Sequence, residues 1–178
     1  MKVVLKDLEP ADLATIAPWL DPQVFTILKK PVDEKQLGWM LPKYDEAGAP
    51  QSLGYKAVDS ETNRMVGVIH AVVNSAHRHA HIGQVVVGDP QLRGRGIGQQ
   101  IMRQMLEICF GRFGLHRVQL LTREDNAIAL ACYRRAGFQA DGILRDLTWT
   151  GERYMSEYFL SILEQEWKGR TKKREATQ

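Results

Sequence analysis

The chain has 178 residues, 44% hydrophobic and 25% charged, with a formal net charge of +3, which suits one domain with a sizeable core. No run approaches the ~18 apolar residues of a membrane span, no charged-then-apolar leader opens the chain, and Cys109 and Cys132 sit among apolar neighbours, so a reduced, cytoplasmic protein without a membrane partner is expected. The basicity is local: Lys168, Arg170, Lys172, Lys173 and Arg174 against Glu175 give residues 168–178 a charge of +4 and leave −1 for the rest, which reads as a domain over 1–167 and a basic, disordered tail, not a nucleic-acid surface, since no aromatics are interleaved.

In chain order, Val3–Leu8 reads as a first strand. Pro10 then opens a helix with Leu13, Ile16, Ala17 and Leu20 on one face, ended by Pro22. A second helix is expected over about Asp33 to Glu46, with a kink or break at Pro42. Three β-like runs follow, Ser52–Val58, Met65–Val73 and His79–Gly88, the first two joined by a hairpin turn at Asn63-Arg64. A long helix spans about Gly96 to Phe113 and stops at Gly114. Arg117–Thr122 is a strand, and Asn126–Ala136 a short helix capped by Gly137. Phe138–Leu147 and Tyr154–Leu163 form a last antiparallel pair around Thr150-Gly151. The order of elements predicts an α/β domain with one mixed sheet.

Between the third run and the long helix lies Gln91-Leu92-Arg93-Gly94-Arg95-Gly96-Ile97-Gly98. Strand, glycine-rich turn and helix in succession leave several backbone N–H groups without partners, aimed at one spot, with the positive end of the helix dipole behind them. Glycines let the main chain approach a ligand closely. The stretch therefore reads as an anion cradle for a phosphate or pyrophosphate. It lacks the Lys-Ser or Lys-Thr of a phosphate loop, and glycines at 94, 96 and 98 do not give G-x-G-x-x-G.

The pattern Gln91-x-x-Gly94-x-Gly96 resembles the coenzyme A signature of the GNAT superfamily, the acetyl-CoA-dependent N-acetyltransferases. Some thirty residues on, Arg117–Phe138 resembles that family's second signature at Asn126, Tyr133, Gly137 and Phe138. Asp141–Asp146, Gly151-Glu152, Ser161–Trp167 and the start of the chain are similar to the ribosomal-protein alanine acetyltransferase-like branch. The resemblance covers roughly residues 3–167 and implies a GNAT-like fold: a central, mostly antiparallel sheet with one splayed parallel strand pair, flanked by helices.

It also implies a reaction, acetyl transfer from acetyl-CoA to a primary amine by direct attack, with a protein N-terminal α-amine as one acceptor and small-molecule amines as the alternative. A non-catalytic acyl-CoA sensor is a further reading. The family pattern places Val85, Val86 and Val87 on the pantetheine arm. Backbone N–H groups from Arg93 to Gln99, thus Arg93, Gly94, Arg95, Gly96, Ile97, Gly98 and Gln99, would hold the pyrophosphate. Asn126 would touch the cofactor arm, cap the helix, or do both. Tyr133 is the expected proton donor to the leaving thiolate. Many relatives carry a carboxylate on the strand before the cradle; here no Asp or Glu occurs between Asn74 and Gly88, and His81 is the expected base, with Glu157 as another candidate. His77, His79 and His81 alternate and would share a strand face, but no metal site is expected. The acceptor pocket would draw on Phe25–Pro31, Trp39, His77–His81 and Arg145–Tyr154. Relatives also suggest a homodimer.

Overall fold

The computed structural model describes residues 1–20 and 33–175. Among them run eight strands: β1 (Val3–Asp7), β2 (Lys43–Tyr44), β3 (Pro50–Asp59), β4 (Met65–Asn74), β5 (His79–Val87), β6 (Arg117–Arg123), β7 (Gln139–Trp149) and β8 (Tyr154–Leu163). They build one sheet in the order β1-β3-β4-β5-β6-β8-β7, with β2 paired to β3. β5 and β6 are parallel; the other pairs are antiparallel. The α-helices among the described residues are α1 (Leu13–Ile16), α2 (Ile97–Leu106), α3 (Ala127–Ala136) and α4 (Glu164–Glu175). None of the described helices is long and apolar enough to cross a membrane.

Each face of the sheet has its own core. On one face α2 buries Ile101, Met102 and Met105 completely against Leu53, Ile69, Ala71, Val118, Leu120 and Leu160. On the other, Leu13, Ile16, Leu20, Leu37 and Met40 pack onto Val68 and Val86. α2 also closes the open edge of β1. The Gln100 and Gln104 amide oxygens accept from Val3 and Leu5 N–H at 2.9 and 3.0 Å, and Gln104 donates back to the Val3 carbonyl at 2.9 Å. An edge strand is thereby denied to outside chains, and α2 is pinned in position.

Several expectations are corrected. The first helix is broken into 3₁₀ turns around the four-residue α1, because Pro18 withholds an N–H in its middle; Lys56 clamps its start through Glu9 and Asp12 at 2.6 and 2.9 Å. The expected end of that helix at Pro22 lies outside the described residues. The second helix is a 3₁₀ segment, Glu34–Met40. Leu41, preceding Pro42, is extended, and residues 43–44 become β2. The long helix ends as α at Leu106 and continues as a π-helical segment, Glu107–Arg112, before Gly114 at φ +57°. His77 lies in the turn after β4, not on a strand, though its ring still stacks on His79 at 6.2 Å. The expected boundary at 167 falls inside α4. Trp167 packs on Phe110 at 5.4 Å and Arg170 donates to the Arg135 carbonyl at 3.0 Å, so the basic stretch starts as a docked helix.

Gly54 is the tightest point of this packing: a Cβ there would collide with the Met40 carbonyl oxygen, a backbone atom that cannot swing away. Gly54→Ala is expected to lower stability by about 3 kcal/mol, read as a fall in the urea midpoint at unchanged m-value.

Candidate active site

β5 and β6 pair only from His79–Arg117 to Ile82–Leu120. β5 runs on to Val87, and β6 to Arg123 along β8. The cause of the parting is on β5. His70 of β4 faces Gln84 while its neighbour Ala71 faces Ile82, so Gly83 is an extra residue, a β-bulge. Side-chain parity inverts there: Ala80 and Ile82 point into the α2 core before it, Val85 and Val87 after it, and Val86 joins the opposite core. The β5 edge that bonded β6 is left open from Gly83 to Val87.

The opening is a cleft of about 500 Å³ lined by Trp19, Val85, Val86, Val87, Leu92, Arg93, Gly94, Gly96, Gly98, Gln99, Asn126, Ile128, Ala129, Ala131, Cys132, Tyr133 and Arg135. Its rear wall is the free β5 edge, one end is the turn into α2, and the other wall is α3. Gln91, Arg95, Ile97 and His81 are not on this lining. Gln91 is exposed with its N–H held by Asp89 at 2.9 Å, Arg95 faces solvent, and the Ile97 side chain is buried in the core.

The turn is built for an anion. Gly94 and Gly96 adopt φ of +75° and +78°, and no atom lies within 4 Å of where their Cβ would be. Backbone conformation, not crowding, selects glycine. Among the described residues, no N–H from Gly94 to Gln99 donates to a protein acceptor. The Arg93 N–H is the exception to the expected set: it is spent on the Pro90 carbonyl at 3.2 Å, and the Arg93 Nε donates to the Val87 carbonyl at 3.2 Å. Gly98 does not shape the turn; it sits within α2, where a Cβ would meet Cys132 Sγ at an ordinary 3.6 Å, and so lets α2 and α3 lie close. Gln99 ties the two helices by donating to the Cys132 carbonyl.

On α3, Asn126 is the N-cap, its Oδ1 accepting from Ala129 N–H at 3.1 Å, and it also borders the cleft. Tyr133 is half-buried on the same wall with its ring tilted 6.0 Å from Phe138. Burial, with the adjacent Cys132 thiol adding, pushes its phenol up to about 12. Burial likewise raises the Cys132 thiol. A proton carried by Tyr133 therefore stays there through the physiological range.

His81 lies on the opposite sheet face from the α2 core, paired with Val72 and Gln119 at the last paired rungs. Burial, then the neighbouring His79, lowers its imidazole below the usual range, which weakens it as a base. Glu157, on β8, accepts from the Thr148 hydroxyl. Among the described residues, no group of three His, Cys, Asp or Glu side chains is placed to hold a metal ion. Of the expected acceptor segments, Phe25–Pro31 lies outside the described residues, Trp39 is exposed by 42%, and Arg145–Tyr154 spans the end of β7 and its turn into β8. Sequence reasoning missed Trp19. Its indole packs so closely over Gly88 that any Cβ there would collide with it; a glycine closing a valine-rich strand was the available signal. It also missed His70, a buried histidine inside an apolar strand.

The model of the Acetyltransferase (GNAT) family matches residues 15–138. The L-amino acid N-acetyltransferase AaaT of Escherichia coli is 26% identical over 98 residues, covering 54% of this chain and 60% of that protein. The N-alpha-acetyltransferase RimI of Mycobacterium tuberculosis is 47% identical over 57 residues, 32% of this chain and 34% of that protein. The spermidine N(1)-acetyltransferase of Vibrio cholerae is 24% identical over 115 residues, 64% and 65% respectively. The chain thus matches between about a third and two thirds of the length of these relatives. A crystal structure of spermidine N-acetyltransferase from Vibrio cholerae in complex with CoA and spermine has the same fold, with a TM-score of 0.78 at 20% identity over 93% of this chain and 98% of that one.

Asn126→Ala is expected to cost about 1 kcal/mol through the lost cap, a fall in Tm of about 2–4 °C for a chain of this size, and Asn126→Asp to restore most of it. Differential scanning calorimetry checks both.

Proposed function

The chain belongs to the acetyltransferase (GNAT) family, and we propose that it transfers an acetyl group from acetyl-CoA to the α-amine of an amino acid or a peptide N-terminus. The observation that carries the reading is the single cleft in which the free β5 edge, the undonated amides of the glycine turn, Asn126 and Tyr133 meet. The fit of the cosubstrate rests on that turn: positive-φ glycines with open space before them and a fan of free N–H groups suit a diphosphate. In support of an α-amine, AaaT is an amino-acid N-acetyltransferase and RimI an N-alpha-acetyltransferase. The Vibrio cholerae neighbour favours a second reading, a polyamine acceptor.

When bound, acetyl-CoA supplies a thioester for direct attack by the amine. The N–H groups of Gly94–Gln99 hold the diphosphate, with Arg93 adding positive charge at the cleft. The edge of Val85, Val86 and Val87 bonds the pantetheine arm as an added strand would, and its N–H groups polarise the thioester carbonyl. Asn126 orients the arm while capping α3. Tyr133 donates to the departing sulfur. A phenol near 12 facing an ordinary thiol near ~8.5 would be mismatched by about 3.5 pH units. The same wall raises the neighbouring Cys132 thiol, however, so a thiolate forming there is also made more basic and the mismatch narrows.

Tyr133→Phe is expected to lower kcat by about 10²–10⁴ with coenzyme A affinity unchanged. The acid works in its protonated form, and burial moves its loss of proton upward. Thiol release by the wild type should therefore rise with pH as the amine deprotonates and show no decline near pH 10, where an ordinary tyrosine titrates. Profiles with an amino acid, an Ala-initiated peptide and spermidine check the acceptor; preferred turnover of spermidine would replace the α-amine reading, and coenzyme A binding without thiol release would replace catalysis by sensing.

A further inference from the structure

Tyr133 is carried by α3, and α3 has little behind it. Ile128, Ala129, Ala131, Cys132, Tyr133 and Arg135 line the cleft, and Leu130 is the one buried residue among the ten of the helix. A short helix that gives most of a face to a cleft has few packing contacts to hold it and depends on its ends. Asn126 caps the first end. The other end is a Schellman motif. Gly137, at φ +112°, donates to the Arg134 carbonyl at 3.1 Å, and the Phe138 N–H donates to the Tyr133 carbonyl at 3.0 Å, with the Phe138 ring against Tyr133 as the apolar contact of the motif. The main chain and the ring of Tyr133 are thus both set by the way α3 stops. Such an ending leaves the Arg135 carbonyl without a partner inside the helix. α4 supplies one. The Arg170 Nη2 donates to that carbonyl at 3.0 Å, and the Arg170 Cδ and Nε lie 2.9 Å from where a Gly137 Cβ would be, so the side chain covers the helix end. Its guanidinium puts positive charge at the negative end of the α3 dipole. α4 itself is anchored elsewhere: Glu166 accepts from the Leu163 N–H at 2.8 Å and from the Gln139 side chain, and Trp167 packs on Phe110 at 5.4 Å. This helix lies beyond residues 15–138, the part of the chain that the family model matches.

We propose that Arg170 is a positioning residue for acetyl transfer: from α4 it closes the C-terminal end of α3 and so fixes where Tyr133 presents its phenol to the departing sulfur. Arg170 is not on the cleft lining and acts only through the helix end that it holds. The inference rests on the acetyl-transfer reading. It ties the basic C-terminal stretch, through one side chain, to the chemistry of the cleft.

Two variants and a double-mutant cycle test it. Arg170→Met keeps an apolar stem over Gly137 and removes the guanidinium, whereas Arg170→Lys can still place an ammonium on the Arg135 carbonyl. The anchors of α4 at Glu166 and Trp167 are untouched in both, so the helix stays docked. Arg170→Met is expected to lose about tenfold in kcat, the scale of one charge-assisted hydrogen bond, with coenzyme A affinity within about twofold of wild type, and Arg170→Lys to recover to within about threefold. Because Arg170 acts through the phenol, adding Arg170→Met to Tyr133→Phe should change kcat by less than about twofold. The Phe138 amide, which donates to the Tyr133 carbonyl, should exchange with solvent about tenfold faster in Arg170→Met, while the α2 amides of Met102 and Met105 keep their wild-type rates. Wild-type kcat in Arg170→Met, a loss confined to coenzyme A affinity, no gain in Lys over Met, an undiminished loss in the Tyr133→Phe background, or an unchanged Phe138 amide overturns the proposal. A wild type that binds coenzyme A but releases no thiol with any amine overturns the acetyl-transfer reading and the catalytic role of Arg170 with it, while the Phe138 exchange reports on the link from Arg170 to the end of α3 independently.

Discussion

The structure depends on the loss of pairing between two parallel strands beyond Ile82 and Leu120. A parallel pair inside a sheet normally continues as long as both strands do, since each unpaired amide and carbonyl costs free energy when sheltered from water. Here each strand keeps one complete ladder, β5 with β4 and β6 with β8, so the parting exposes one edge of each and leaves the sheet intact. The extra residue at Gly83 both bends β5 away and turns its side chains over, so the valines that follow anchor the strand to both cores at once. The free edge is held rigidly because its side chains are fixed on both sides.

Rigidity extends to the neighbouring groups. The amides of the glycine turn open onto the cleft at the start of α2, and α2 is immobilised by three fully buried core residues and by two glutamines bonded to β1. α3 is held against it through the Gly98–Cys132 contact and the Gln99 side chain. Donors positioned before a ligand arrives need no reorganisation afterward, and that is where their electrostatic value lies. The same burial that fixes the wall sets its proton chemistry, raising Tyr133 and Cys132 together.

Much of this was legible in the residues, for identifiable reasons. The β-like runs at 52–58, 65–73 and 79–88 marked three strands, Gly94 and Gly96 marked a turn that only glycine adopts readily, and Asn126 with Gly137 marked the two ends of α3. What escaped were features set by partners distant in sequence. The break at Pro42 was legible, but the 3₁₀ winding of Glu34–Met40 before it was not. Trp19 reached the cleft through Gly88, 69 positions on. His70 sat in an apolar run, and its burial is explained by Ser52 and Leu41, neither adjacent to it. Gly83 did carry a local signal, since a lone glycine within a strand points to a bulge, but only the register shows which strand pair it separates.

The proton balance of the acceptor follows from the same burial. A lysine-like amine near ~10.4 holds its proton more tightly than an α-amine near ~8 by about 2.4 units, or about 3 kcal/mol. A site with a strong base could absorb that difference. On β5 and its neighbour β4, the two histidines nearest the parting are both lowered by burial, and β5 itself carries no carboxylate. Such a surface can orient a water or an amine but accepts a proton weakly. An acceptor that already has an appreciable neutral fraction at pH 7 asks least of it, which is the physical ground for expecting an α-amine in preference to a polyamine.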